Sequence, residues 1–155
     1  MEKLQQAVEL WDNGIVSQFD PPTDDIVKWL DDFFAKTGAK KNVATRWTYQ
    51  SQIYENTNCP IPIPDLSGLV YATDEWKRWV VLNPDNTTKF TIDVPRISAK
   101  SVPENGELGV PKYMKGDLPN IMYGEGSDGD RNDCRFYFNM HTGELLRVEI
   151  VGRHW

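Results

Sequence analysis

The stretch CRFYFNMHTGELLRVEIV, residues 134–151, carries the clearest strand signal in the chain. Two segments rich in aromatic and β-branched residues flank the polar sequence HTGE at positions 141–144. This pattern is typical of two antiparallel strands that are joined by a tight turn. The sequence therefore predicts a C-terminal β-hairpin and makes antiparallel sheet the basis of the fold.

Further strand signals lie upstream of this hairpin. In VATRWTYQSQIY (43–54), the side chains alternate between two sets over residues 43–53, which predicts one strand. LSGLVYA and WKRWVVL also resemble strands, and the turn NPDN at 83–86 predicts a hairpin between WKRWVVL and KFTIDV. CPIPIP (59–64) is expected to be an extended connector, because proline lacks the N–H that a sheet interior requires. Residues 95–127 are rich in Pro and Gly and are expected to form one long loop or several short ones.

Two helices are predicted before these strands. Leu4, Ala7, Val8 and Trp11 have helical spacing, and Gly14 follows as a stop. In residues 21–38, Thr23 is a natural N-cap and Gly38 a natural end. An apolar stripe between them comprises Ile26, Trp29, Leu30, Phe33 and Phe34. The predicted fold is α+β: two N-terminal helices (within 1–38) packed on a mainly antiparallel sheet with its loops (42–155), in one domain spanning 1–155.

Length, charge and cysteine content restrict the class of protein. The 155 residues carry a formal net charge of −6, which disfavours both general nucleic-acid binding and attachment to anionic membranes. The first residues, MEKLQQAVELWD, lack the uninterrupted apolar run of a secretory signal, so a cytoplasmic location is expected. Cys59 and Cys134 are 75 positions apart and are expected to be free thiols.

The acidic stretch GEGSDGDRND, residues 124–133, raises the possibility of a calcium site. Asp128, Asp130 and Asn132 match positions 1, 3 and 5 of an EF-hand loop. Position 6 is Asp133 where glycine is required, and position 12 is Asn139 where a bidentate glutamate is required. No metal site is therefore predicted.

Catalytic interpretations of the same region are weak. Cys134 and His141 are seven residues apart and would face opposite sides of a regular strand. The acids of residues 124–133 could supply general acid–base chemistry, but carboxylates in a Gly-rich loop are usually solvated. The sequence predicts no catalytic residue and no cofactor.

Negative charge is concentrated in two segments. Residues 1–38 hold eight acids and three bases, and residues 117–133 hold five acids and one base. In the second segment, glycines predict an adaptable loop whose carboxylates point outward to dock against a basic protein. The predicted partner-binding residues are Glu125, Asp128, Asp130 and Asp133, with Trp76 as an aromatic anchor. Trp76 is three residues from Trp79, so one ring is expected to point inward and the other outward.

In size, acidity and lack of catalytic motifs the chain resembles bacterial immunity proteins, which bind toxins such as cationic nucleases. This resemblance implies a non-enzymatic inhibitor that neutralises a basic protein partner. Two alternatives stay open. One is a small enzyme or ligand-binding domain whose site lies between the sheet and the 95–127 loops. The other is a structural or adaptor subunit of a larger assembly, including a viral one.

Overall fold

A computed structural model describes residues 3–19, 35–36, 38–39, 41–114 and 118–153. These residues form twelve strands in three four-stranded antiparallel sheets, together with one short 3₁₀ helix at Pro103–Asn105. The first sheet contains β1 Gln5–Trp11, β2 Val16–Gln18, β3 Asn42–Tyr49 and β4 Gln52–Asn56 in the order β2-β1-β3-β4. The second contains β5 Ile61–Pro62, β6 Leu69–Thr73, β7 Arg78–Leu82 and β8 Thr88–Asp93 in sequence order. The third contains β9 Lys112–Tyr113, β10 Ile121–Ser127, β11 Asn132–Asn139 and β12 Leu145–Arg153, in the order β12-β11-β10-β9.

The second sheet forms the middle layer. On β7, Trp79 and Val81 pack in one core cluster with residues of the third sheet such as Phe136. The alternate residues Val80 and Leu82 pack in a separate cluster with residues of the first sheet. A strand that is buried on both faces needs a continuous apolar run, and WVVL at 79–82 supplies it.

The predicted α+β class is wrong, since the described residues are almost entirely β and Gln5–Trp11 form strand β1. The helical spacing in this segment arises from an irregularity in the strand. Gln6 has a φ of 54°, and the register between β1 and β3 shifts between Gln5 and Val8. Such a bulge changes the two-residue period locally. It lets Leu4 and Ala7, three positions apart, pack in the same core cluster.

The second predicted helix, with its stripe from Ile26 to Phe34, lies outside the described residues except at its end, where Ala35 and Lys36 are helical.

The strand predicted at 43–53 is instead a hairpin of β3 and β4, because Gln50 and Ser51 have φ values of 51° and 64°. Two successive left-handed residues make the tight turn that suits the twist of a hairpin.

The hairpins at 78–93 and 132–153 are confirmed. Of the prolines of CPIPIP, Pro62 lies on β5, which is the outermost strand of the second sheet. The prediction that residues 95–127 are only loops is wrong at β9 and β10. Gly124 and Gly126 lie within β10, where a Cβ would collide with the carbonyl oxygens of Leu108 and Glu107. These glycines permit close packing of two backbone segments and do not make a flexible loop.

Candidate functional site

The turn between β6 and β7 holds Trp76 in an unusual backbone conformation. Asp74, Glu75 and Trp76 have φ values of 54°, 59° and 68°, and Lys77 N–H donates to Asp74 O at 3.2 Å. A left-handed conformation costs a residue with a side chain about 1–2 kcal/mol. Three in succession persist only where tertiary contacts maintain them, and such strain is concentrated at functional sites.

The contacts that maintain this turn come from residues 106–110. Leu108 N–H donates to the carbonyl of Trp76 at 2.8 Å, and the Trp79 indole N–H donates to the carbonyl of Gly109 at 2.8 Å. The same segment is tied to β10, because Glu107 and Ser127 exchange two backbone hydrogen bonds. The Trp76 turn is therefore connected rigidly to the third sheet.

Trp76 differs from the other described tryptophans in exposure. Its side chain is 53 % exposed, whereas Trp47 and Trp79 are fully buried and Trp11 is 6 % exposed. Trp79 is buried and Trp76 is exposed, which agrees with the predicted outcome, but Trp76 lies in the turn, so the strand alternation used for that prediction does not apply to it. An exposed indole on a turn that backbone hydrogen bonds hold in place would lose little backbone freedom if it bound a partner.

The four acidic residues that the sequence singled out do not share one loop. Glu125 lies on β10 and Asp133 on β11, and both side chains belong to the outer face of the third sheet, away from the core. Asp130 is exposed in the turn between these strands. Asp128 is fully buried, which corrects the expectation that its carboxylate points outward.

Asp128 organises the turn that contains it. Its carboxylate accepts hydrogen bonds from the backbone N–H groups of Asp130 (3.0 Å) and Asn132 (3.3 Å), and from Asn132 Nδ2 (2.9 Å). The Ser101 hydroxyl donates to the same carboxylate at 3.4 Å. Burial alone would raise the pKa of Asp128, but the bonds from Asn132, Asp130 and Ser101 outweigh it and lower that pKa.

The outer face of the third sheet is electrically balanced. Glu125 accepts from Lys112 Nζ at 3.3 Å and from Arg135 Nη2 at 3.0 Å. Burial would raise the pKa of Glu125, but these two cations lower it. The Arg135 guanidinium lies 5.3 Å from the Tyr123 ring centroid, and the Tyr123 and Tyr137 rings are 5.7 Å apart. The face therefore carries ion pairs and stacked rings, and no large excess of negative charge.

Unpaired negative charge lies instead beside the Trp76 turn and at the β10–β11 turn. Glu75, Glu107 and Asp130 are exposed, and within the described part of the chain none of them forms an ion pair. Glu107 is one residue from Leu108, which bonds to Trp76, and its backbone bonds to Ser127. The exposed indole is thus accompanied by carboxylates that are free to meet a cation.

One titratable residue was missed by the sequence analysis. Burial raises the pKa of Glu9 to about 7, and Asn42 Nδ2 lies 3.5 Å from its carboxylate. Two groups near Glu9 are affected in the same way. Burial, together with the charge of Glu9, raises the pKa of the Cys59 thiol and the pKa of the Tyr113 hydroxyl. A thiol with a raised pKa is a poor nucleophile, so this group lacks an activated attacking atom. On a strand, Glu9 lies on the same side as Trp11, which is two positions away. This alternation indicates a partly buried carboxylate, but the helical spacing of the segment obscures it.

The other sites considered from the sequence have structural roles. Cys134 is fully buried, and burial raises the pKa of its thiol to about 11. His141 Nε2 lies 2.5 Å from Asp65 Oδ2, which ties the last hairpin turn to the segment between β5 and β6. Across the described ranges, no group of three His, Cys, Asp or Glu side chains is arranged to hold a metal ion. No described helix is long and apolar enough to cross a membrane.

A solved structure of Tne2 in complex with Tni2 contains a chain similar to this one. The TM-score is 0.66 and the sequence identity 17 %, over 96 % of this chain and 99 % of the other. The two chains share a fold. No protein-family model and no curated protein matches the sequence.

Proposed function

We propose that this chain is a non-enzymatic protein-binding domain that inhibits a basic partner, as a bacterial immunity protein inhibits its toxin. The observation that carries the proposal is Trp76, an exposed indole held on a left-handed turn. Tryptophan is enriched among the residues that contribute most to binding energy in interfaces. A rigid turn reduces the entropy that such a contact would otherwise lose.

The charges near Trp76 favour a basic partner. Glu75 and Glu107 are exposed and unpaired within the described residues, and the chain as a whole carries −6. We include Glu125 and Asp133 of the third sheet and Asp130 of the β10–β11 turn in the proposed contact surface, where Glu125 would exchange its pairing with Lys112 and Arg135 for cations of the partner. Complementary potential accelerates the association of two proteins and fixes their orientation. Asp128 contributes indirectly, since it positions the turn that presents Asp130.

The fold similarity supports formation of a protein complex, because the similar chain belongs to a structure in which Tne2 and Tni2 are bound together. The proposed partner is a basic toxin domain such as a nuclease, and the proposed setting is the cytoplasm. There the inhibitor would cover the active surface of the toxin by direct contact. The proposed function requires no catalytic residue, cofactor, nucleic acid or membrane.

Co-expression with neighbouring genes tests the proposal. The product of each gene that flanks this one is expressed in cells alone, with the wild-type chain, and with the variant Trp76→Ala. We expect one flanking product to arrest growth, the wild-type chain to restore growth and co-purify with it in stoichiometric amount, and Trp76→Ala to protect less. Failure of every flanking product to bind the wild-type chain would contradict the proposal. Equal protection by wild type and Trp76→Ala would remove Trp76 from the site.

A further inference from the structure

A cleft of about 430 Å³ lies at one end of the third sheet, and Trp76 is not among its lining residues. Its walls are the segment at Ile97–Lys100, the β10–β11 turn, and the ends of β11 and β12. Asn132 and Arg153 pair across these two strands, which places both at the same end of the sheet. The volume is within the range of small-molecule sites in proteins.

Hydrogen bonds fix the two sides of the cleft to each other. The Ser101 hydroxyl contacts Asp128 Oδ2 at 3.4 Å and accepts from Ser98 N–H at 3.1 Å. Lys100 N–H in turn donates to the Ser98 hydroxyl at 3.3 Å. Asp128 therefore joins the segment that carries Lys100 to the turn that carries Arg131. These hydrogen bonds hold the two walls of the cleft next to each other.

The charge of the cleft is opposite to that of the whole chain. Lys100, Arg131 and Arg153 line it, and Asp130 is the acid among its lining residues, for a balance of three cations against one anion. None of the three cations forms an ion pair within the described part of the chain. Unpaired cations around one concave surface repel each other, and an anionic ligand would relieve that repulsion.

The lining also has an apolar component. Ile97 and Ile150 face the cleft, and Ile150 remains 50 % exposed. An arginine guanidinium matches two phosphate oxygens with two parallel N–H groups, whereas isoleucine side chains suit a hydrocarbon or ring. We propose that the cleft binds a small phosphate ester, with the phosphate between Lys100, Arg131 and Arg153 and the apolar group against Ile97 and Ile150.

Isothermal titration calorimetry at low ionic strength tests this site with phenyl phosphate and inorganic phosphate as probes. We expect phenyl phosphate to bind with one-to-one stoichiometry and more tightly than inorganic phosphate. The triple variant Lys100→Gln, Arg131→Gln, Arg153→Gln should bind phenyl phosphate at least tenfold more weakly. A control with the same charge change elsewhere, Lys3→Gln, Lys77→Gln, Lys89→Gln, should bind within twofold of wild type. Thermal melting of both variants verifies that they are folded.

The apolar part of the site has its own variant. Ile150→Ala should weaken the binding of phenyl phosphate several-fold and leave the binding of inorganic phosphate unchanged, because inorganic phosphate has no apolar group to place against Ile150. Absence of saturable phenyl phosphate binding to wild type, or equal weakening in the triple variant and its control, would overturn the site. Equal affinity for the two probes would overturn the assignment of an ester. Growth protection through Trp76 is measured separately, so either proposal can fail alone.

Discussion

Asp128 shows how a residue with the character of a surface ligand can be structural. It accepts four hydrogen bonds while fully buried, so we expect Asp128→Asn to lower the free energy of unfolding by about 2 kcal/mol at pH 7. In the variant, the side-chain NH₂ group of asparagine would face N–H and O–H donors that bond to the carboxylate in the wild type. At least one of these hydrogen bonds would be lost. Urea denaturation measures the loss.

The pH dependence of this loss follows from the lowered pKa of Asp128. A carboxyl whose pKa is lower in the folded state stabilises the protein above its unfolded pKa of about 4, and the stabilisation is lost as pH falls through the folded value. The difference between wild type and Asp128→Asn should therefore shrink in acid. The control is Asp130→Asn, which changes an exposed carboxylate in the same turn. It should leave the free energy of unfolding unchanged both at pH 7 and in acid.

Glu9 should have the opposite pH dependence. Its folded pKa is about 7 and its unfolded pKa about 4.3, so stability falls as pH rises between these values. Glu9→Gln cannot ionise, and we expect it to stabilise the protein by about 1–2 kcal/mol at pH 8 and by little at pH 4.5. Urea denaturation at both pH values checks this. Glu55→Gln, at an exposed carboxylate of the same sheet, should show no such gain, and a gain equal to that of Glu9→Gln would contradict the burial argument.

At the scale of the element, the hairpins were predictable because their signals are local. NPDN and HTGE lie between β-rich segments, and the strands they join are neighbours in the sheet. Strand β1 was not predictable, because the bulge near Gln6 gives its apolar residues a helical spacing. Strand β10 was not predicted, because its glycines resemble those of a loop. They allow close contact with the backbone of residues 107 and 108, which lies far enough away in sequence that no local pattern indicates it.

Those glycines give a prediction for the contact between β10 and the 106–110 segment. A Cβ at Gly124 would collide with the carbonyl oxygen of Leu108 and approach the Trp79 ring to 2.7 Å. We expect Gly124→Ala to destabilise the protein by about 2–3 kcal/mol. At Gly152, also in a third-sheet strand, the nearest atom is Asp133 Oδ2 at an ordinary 3.4 Å. Gly152→Ala is therefore the matched control, and equal melting temperatures for the two variants would contradict the close packing.

At the scale of the whole molecule, the layered arrangement decides which candidate residues can meet a partner. Trp76 is exposed, as the sequence predicted, but its exposure results from the left-handed β6–β7 turn and not from the strand alternation on which the prediction rested. The fate of the acids depended on tertiary contacts: Glu125 meets two cations from other strands, and Asp128 meets Ser101 across 27 positions of sequence. Glu75 precedes Trp76 in the turn itself, whereas Glu107 joins the site because the 106–110 segment bonds to the Trp76 turn.

The acids of the third sheet and its β10–β11 turn should govern the rate of association with a basic partner. Neutralising Glu125, Asp130 and Asp133 to Gln or Asn is expected to slow association several-fold at low ionic strength, with the effect fading as salt screens the charges. Stopped-flow mixing with the partner measures this rate. The control variant replaces three exposed acids elsewhere in the structure by the corresponding amides: Glu55→Gln, Asp85→Asn and Glu144→Gln. Equal slowing in both variants would assign the effect to net charge and not to this surface.

The dissociation rate of the complex formed by Trp76→Ala tests the central claim most directly. Loss of a preorganised indole anchor should raise this rate at least tenfold, with little dependence on salt, because the contact is apolar. Ile53→Ala is the control, since Ile53 is 73 % exposed on the first sheet and should not alter dissociation. A Trp76→Ala complex that dissociates no faster than the Ile53→Ala complex would contradict the assignment of the Trp76 turn as the docking site.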